Sequence, residues 1–217
     1  DQRSSGAHAA VGGLYAAALS SSLLRDADRA DRALQAAVGL LAASPQRDDA
    51  AARRALAGLG AQLALARGDA ARAATLMASG GLADGSRSGL LLQADWALAD
   101  GNPAALRQSA EALQTWVAVH RNDAAAWQAL SQAAGRLGQP LRAVRGEAES
   151  HAALGDLGGA IDRLRAGQQL ARRGASGTDF IEASVIDARL RDLTSQRRQL
   201  LADERRAGDR NRGNEPE

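Results

Sequence analysis

The sequence predicts an all-α chain, folded as a right-handed α-solenoid of helix-turn-helix repeats and closed by a long C-terminal capping helix. Three observations predict it. Aromatic residues make up only 2% of the 217 residues, and the apolar set is mostly alanine and leucine. Those two are the strongest apolar helix formers, and small side chains let helix axes approach closely. Strand-like runs of β-branched and aromatic residues are almost absent, whereas apolar residues recur at helical spacing along nearly the whole chain. One turn grammar, a glycine followed by a polar residue, recurs at Gly68-Asp69, Gly101-Asn102-Pro103, Gly138-Gln139-Pro140 and Gly155-Asp156.

Each element follows from the same reading. Residues 1–7 (DQRSSGA) read as a flexible lead-in to a repeat domain over 8–206. Helices are expected near 8–24, 29–43, 49–67, 69–79, 86–100, 102–119, 123–137, 139–154 and 157–173, with a tenth over 178–206. The polar run from Gly208 offers no apolar anchor, so 207–217 are expected as a disordered tail. At each turn the glycine ends an Ala/Leu-rich run, where a left-handed C-terminal position favours a residue without Cβ. Asp69, Asn102 and Asp156 then stand where a side-chain oxygen caps the following helix. Pro103 and Pro140 hold first helical positions, where a missing N–H does no harm.

The spacing of these turns sets the architecture. The glycines are 33, 37 and 17 residues apart. Steps in the mid-thirties are the period of helix-turn-helix repeats of the tetratricopeptide (TPR) type, and the last step is half a period. Five residues after each glycine stands a residue expected to face the preceding helix: Ala73, Leu106, Ala143 and Ala160. A degenerate earlier unit has Ala33 followed twelve residues later by Pro45. The fit is best around Asp123, where Trp127 and Leu130 are followed by Ala134, Gly138 and Ala143.

Composition excludes several function classes. The 27 basic residues are all arginine and stand against 25 acidic ones, a near balance that argues against a nucleic-acid footprint. There is no cysteine, hence no disulfide, zinc ribbon or thiol chemistry. No apolar run approaches the ~20 residues that span a bilayer, so no membrane insertion is expected. The chain opens on Asp1 rather than Met, which leads us to expect a piece of something longer.

Candidate chemistry is sparse. GDLGG at 155–159 lacks the G-x-x-x-x-G-K-[ST] pattern, and no lysine is present to reach a phosphate. The histidines are His8, His120 and His151; Glu147 and His151 can share a helix face, but with Glu149 on another face they read as ordinary polar helix surface. GSRSG at 85–89 has arginine where a nucleophile elbow needs serine, and reads as a linker. Trp96, Trp116 and Trp127 fall in helical runs and read as packing residues, with a groove-lining role as the sharper alternative. In the last helix, Ile181, Val185, Ile186, Leu190, Leu193, Leu200 and Leu201 form an apolar stripe that would seal the end of a solenoid. No catalytic, metal or cofactor residue is expected in this chain.

The block EAESHAALGDLGGAIDRLRAGQQLARRG (147–174), Phe180 and the run IEASVIDARLRDL (181–193) resemble the C-terminal end of exported zinc metallopeptidases of the BepA/YfgC type, peptidase family M-48. The opening GLYAAALSSSLLRDADRADRAL (13–34) is similar to the first helices of that family's repeat region. The resemblance implies a non-catalytic TPR domain of a periplasmic enzyme, with zinc held by an H-E-x-x-H motif in a separate catalytic domain. It also implies docking of protein or peptide segments, contact with the enzyme's own peptidase domain, and a link to outer-membrane protein assembly and quality control. No residue of H-E-x-x-H occurs here, so no metal ligand carries over. The alternative is a free-standing TPR adaptor, since such repeats recur on unrelated proteins. Recognition on a concave face by shape and by arginine and carboxylate contacts is expected in either case. The purified, tag-free chain should contain no stoichiometric zinc and hydrolyse no protein; elemental analysis and a casein assay check this.

Overall fold

The computed structural model describes residues 2–45, 47–174 and 179–212. Among them it shows ten α-helices and no strand. They are α1 (Gln2–Leu23), α2 (Ala27–Ala42), α3 (Ala50–Ala66), α4 (Ala70–Ser79), α5 (Arg87–Asp100), α6 (Pro103–Val119), α7 (Ala124–Arg136), α8 (Pro140–Ala153), α9 (Leu157–Arg172) and α10 (Asp179–Arg212). The expected all-α class is therefore what the chain adopts. Two ends differ from expectation. Helix α1 already begins at Gln2 within the lead-in, and α10 continues through Arg212 into the stretch read as tail. No proline interrupts either stretch, so nothing in the backbone forces the helix to stop there. Residues 213–217 of that tail lie outside the described residues. No helix among the described residues is long and apolar enough to cross a membrane.

The chain divides into two compact units, Asp1–Ala105 and Leu106–Glu217, and α6 begins in the first and ends in the second. In each, consecutive helices pack one on the next, as in an α-solenoid of TPR type. In the first unit α1 packs on α2 and α3 on α4, while α3 also meets α1, α2 and α5. Its core holds Ala30, Leu34, Ala37 and Leu41 of α2 against Leu56, Leu59 and Leu63 of α3. A second cluster sets Ala73 of α4 against Ala61 and Ala64 of α3. In the second unit α7 packs on α8, α8 on α9, and α10 on both α8 and α9. Its core gathers Leu141, Ala148, Ala160, Ile161 and Leu164 around Ile186 and Leu193 of α10. Close approach is explicit at Gly146: a Cβ there would stand 3.1 Å from the Ser131 backbone, tighter than ordinary contact, so any larger residue would have to push α8 and α7 slightly apart.

The turns show how the chain reverses. Gly68, Gly138 and Gly155 have φ of +77°, +70° and +82°. At each, the glycine N–H donates to the carbonyl three residues back and the next N–H donates five residues back, as in Asp156 N to His151 O at 3.0 Å and Gly155 N to Ala152 O at 3.0 Å. This pairing satisfies carbonyls that the helix end would leave without partners. Gly101 (φ +73°) uses a single bond, from its N–H to Ala97 O at 3.0 Å. Asp69 and Asp156 then accept from Arg72 N and Gly159 N at 2.9 Å each, and Asn102 accepts from Ala104 N at 2.8 Å. Gln139 makes no capping bond; Pro140 opens α8 and Gln139 instead accepts from Arg142 at 3.2 Å.

The structure adds a turn of the same kind that contains no glycine. Between α1 and α2, Arg25 takes φ +60°, Asp26 N donates to Ser21 O at 2.9 Å, and Asp26 caps α2 by accepting from Arg29 N at 3.0 Å. Left-handed backbone costs a residue with Cβ about 1–2 kcal/mol. Replacing Arg25 by glycine recovers that cost less the extra freedom of glycine in the unfolded chain, a net gain of about 0.5–1 kcal/mol. Gly155→Ala meets no atom within 4 Å, so its loss of about 1 kcal/mol is purely conformational. Urea denaturation of the two variants should show midpoints shifted in opposite directions.

Candidate functional site

The first unit has an apolar groove of about 600 Å³ between α2 and α4, floored by α3. It exists because α2 and α4 each pack on α3 while, among the described residues, no packing joins them directly. Leu34, Val38 and Leu41 form one wall, Leu56, Ala57 and Gly60 the floor, and Leu76 with Ser79 the other wall. Gly60 lets the walls converge: a Cβ there would stand 3.2 Å from Leu76 and 3.3 Å from Leu34. Val38 is 48% exposed within this setting, as an unfilled apolar surface requires. Gly39 lines the groove with open space where its Cβ would be.

The polar edge of the groove is cationic. Arg47, Arg53 and Arg72 line it, and no lining residue is acidic. Arg47 pairs with its exposed neighbour Asp48 at 3.8 Å, and Arg53 donates to the Asp48 backbone carbonyl at 3.5 Å. Apolar walls with a few placed charged groups are the usual make-up of a binding cleft.

The second unit closes the corresponding space with its own chain. Helices α8 and α10, the second members of their pairs, pack directly. Arg145 of α8 donates to Glu182 of α10 at 2.7 Å and 3.2 Å and to Gln114 of α6 at 3.3 Å, while its guanidinium lies 5.7 Å over the Trp127 ring. Arg189 of α10 grips Glu149 of α8 by its Nε and Nη2, at 2.8–3.1 Å. Gln168 of α9 donates to Asp187 at 2.6 Å, and Glu147 pairs with Arg163 at 3.1 Å. Glu147 and Glu149 are thus interhelical partners, which corrects their reading as ordinary helix surface: spacing along one helix does not reveal an arginine brought alongside by another.

The residues singled out in the sequence fall into place as follows. Ala73, Leu106 and Ala160 are buried, and Ala143 is half-buried with its carbonyl accepting from Ser131 at 2.8 Å. Ala33 is half-buried against the core of the first unit; Trp127 and Leu130 are buried in α7. Each tryptophan indole N–H ties a helix to nearby backbone or a cap: Trp96 to Ala70 O at 3.1 Å, Trp116 to Asp123 at 2.9 Å, Trp127 to Arg121 O at 2.9 Å. None of the three lines the groove. His120 stacks on Trp116 at 3.7 Å, His8 meets Asp49 at 3.2 Å, and His151 meets Asp156 at 2.8 Å. Among the described residues no three His, Asp or Glu side chains gather as a metal set. In the 85–89 stretch, Ser86 caps α5 by accepting from Gly89 N at 3.2 Å, and a Cβ on Gly89 would run into the Leu82 carbonyl oxygen.

The apolar stripe expected on the last helix divides. Ile186 and Leu193 are fully buried and Leu190 half-buried, but Ile181 is 70% exposed, and Val185, Leu200 and Leu201 are exposed as well. A long helix presents a stripe wider than the neighbours it packs against, so only one edge of the stripe reaches α8 and α9. The groove itself was missed in the sequence because Leu34, Val38, Leu41, Leu56 and Leu76 read as core at helical spacing. Only the gap between α2 and α4 distinguishes them.

A scan against protein-family models finds no match, and a search of the curated proteins finds no significant relative.

Asp156 joins a cap to a histidine contact, and its carboxyl is held below the usual carboxylate value of 3.8, first by the Gly159 N–H and then by the His151 side chain. A depressed folded-state value stabilises the fold above the unfolded value and loses that effect as the pH falls through the folded one. Asp156→Ala should therefore lower the melting temperature at pH 7, with the deficit shrinking as the pH falls below about 4. Thermal melts of both proteins across that range check it.

Proposed function

We propose that this chain is a non-catalytic protein-docking module of TPR type. The observation that supports the reading is the groove of the first unit, an apolar cleft with exposed Val38 and three arginines at its edge. Helical repeats bind by presenting such preformed surfaces, with shape and a few charged contacts setting specificity. The cleft suits docking of polypeptide segments rather than bond-making, since its lining contains no acid–base pair and no nucleophile beside a base.

The second half of the proposal concerns the parent. The block from Glu147 to Gly174 with the run 181–193 supports placing the module in an exported zinc metallopeptidase of the BepA/YfgC type. In that reading the protein is periplasmic, zinc belongs to a separate catalytic domain, and the partners are that domain, substrate segments and the outer-membrane assembly machinery. The charged residues of the block tie α8 to α9 and α10, which gives them a structural task within such a domain. No zinc chemistry is assigned to any residue of this chain.

Two measurements test the two halves. The coding sequence upstream of Asp1 should contain H-E-x-x-H followed by a zinc-ligand glutamate; without it the chain is a free-standing adaptor. A photoreactive residue at Val38 should cross-link a discrete polypeptide in cells, and cross-links to none would overturn the docking reading.

A further inference from the structure

We infer that the α2–α4 groove takes an acidic amphipathic helix from a protein partner, resting on the docking reading above. Two observations specify the occupant. The groove's charged lining is three arginines with no carboxylate among them, although the chain as a whole is nearly balanced, with 27 basic and 25 acidic residues. A cationic edge around an apolar floor attracts carboxylates and repels a basic segment. The second observation is how the other unit closes the corresponding space, with α10, the counterpart of α4, packed directly on α8. Against α8 lies the amphipathic helix α10, which sends Ile186 and Leu193 into the core and sets Glu182 on Arg145. In the first unit, among the described residues, α4 does not pack on α2, yet the apolar surface and the arginines are there.

The physical logic is that of a helix laid in a groove, with apolar side chains at i, i+3, i+4 and i+7 on the floor and carboxylates at the edge. Arg53 of α3 and Arg72 of α4 stand on two of the helices that form the groove, and Arg47 stands in the turn after α2. Carboxylates on both flanks of the bound helix would meet them. Arginine suits this role, because its planar fork binds a carboxylate through two parallel bonds, as Arg189 does with Glu149 by Nε to Oε1 and Nη2 to Oε2. Gly39 faces free space in this groove, and it lies inside α2 without a positive φ. A large side chain there occupies the groove while improving local helix propensity.

The test uses the full 217-residue chain and fluorescein-labelled amphipathic peptides about five turns long, followed by anisotropy. One peptide pairs a leucine face with glutamates, the second replaces glutamate by lysine, and the third replaces leucine by serine. Only the Leu/Glu peptide should bind. Gly39→Phe should weaken it by about tenfold or more with no loss of thermal stability, and so should Arg53→Glu combined with Arg72→Glu, which should also admit the lysine peptide. Equal binding of the lysine peptide by the unaltered chain overturns the acidic assignment and leaves the docking reading intact. Binding indifferent to Gly39→Phe overturns the location. Binding of no peptide overturns the proposal, as do two other outcomes abolished by Gly39→Phe: a concentration-dependent dimer in sedimentation, which makes a second copy the occupant, and capture of phosphatidylglycerol vesicles.

Discussion

The residue that turns left-handed at the end of a helix is the constraint on which the rest of this structure depends. A chain of helices can pack hairpin by hairpin only if each reversal is short, and a short reversal leaves carbonyls and N–H groups without helical partners. Here the left-handed residue lets two N–H groups reach back to the last turn, and the next side chain caps the helix that follows. Both ends are satisfied within three residues. Gly68, Gly138 and Gly155 use this device with glycine, and Arg25 uses it against its own steric preference. That Arg25 accepts the strained conformation shows that the hydrogen-bond pattern, not glycine itself, is what the turn requires.

With reversals fixed, packing follows from small side chains. Ala73 against Ala61 and Ala64, and Gly146 against the Ser131 backbone, bring helix axes close enough for leucines to fill what remains. A core so poor in aromatics gains its cohesion from many close contacts rather than a few large ones. The three tryptophans act as ties, each spending its indole N–H on backbone or a cap. Polar bonding across helices concentrates in the second unit, where Arg145, Glu182, Glu149 and Arg189 hold α10 to α8. The first unit has the complementary condition, an apolar trough with arginines and no acidic lining residue.

The repeat architecture was legible because its signals are local. Gly-Asp and Gly-Asn-Pro pairs, their spacing, and Ala/Leu runs at helical period each depend on a few adjacent residues. The turn at Arg25-Asp26 was not legible, because arginine carries no sign of a left-handed backbone. The α10 stripe misled for a related reason. Ile181 and Val185 satisfy the helical period as well as Ile186 does, yet whether a stripe is covered depends on the width of the neighbouring surface. The groove escaped in the same way, since Leu34 and Leu76 look like any other core leucine.

By itself, then, the sequence determined the helical class, the places where the chain reverses at glycine, and the caps that start α4, α6 and α9, because these are set by backbone sterics and hydrogen bonds within about five residues. Tertiary structure alone decided which apolar residues lie open, which arginines meet carboxylates, and that, among the described residues, α10 packs on α8 while α4 stays off α2. Those outcomes depend on distances between segments tens of residues apart, and periodicity within one helix contains no information about them.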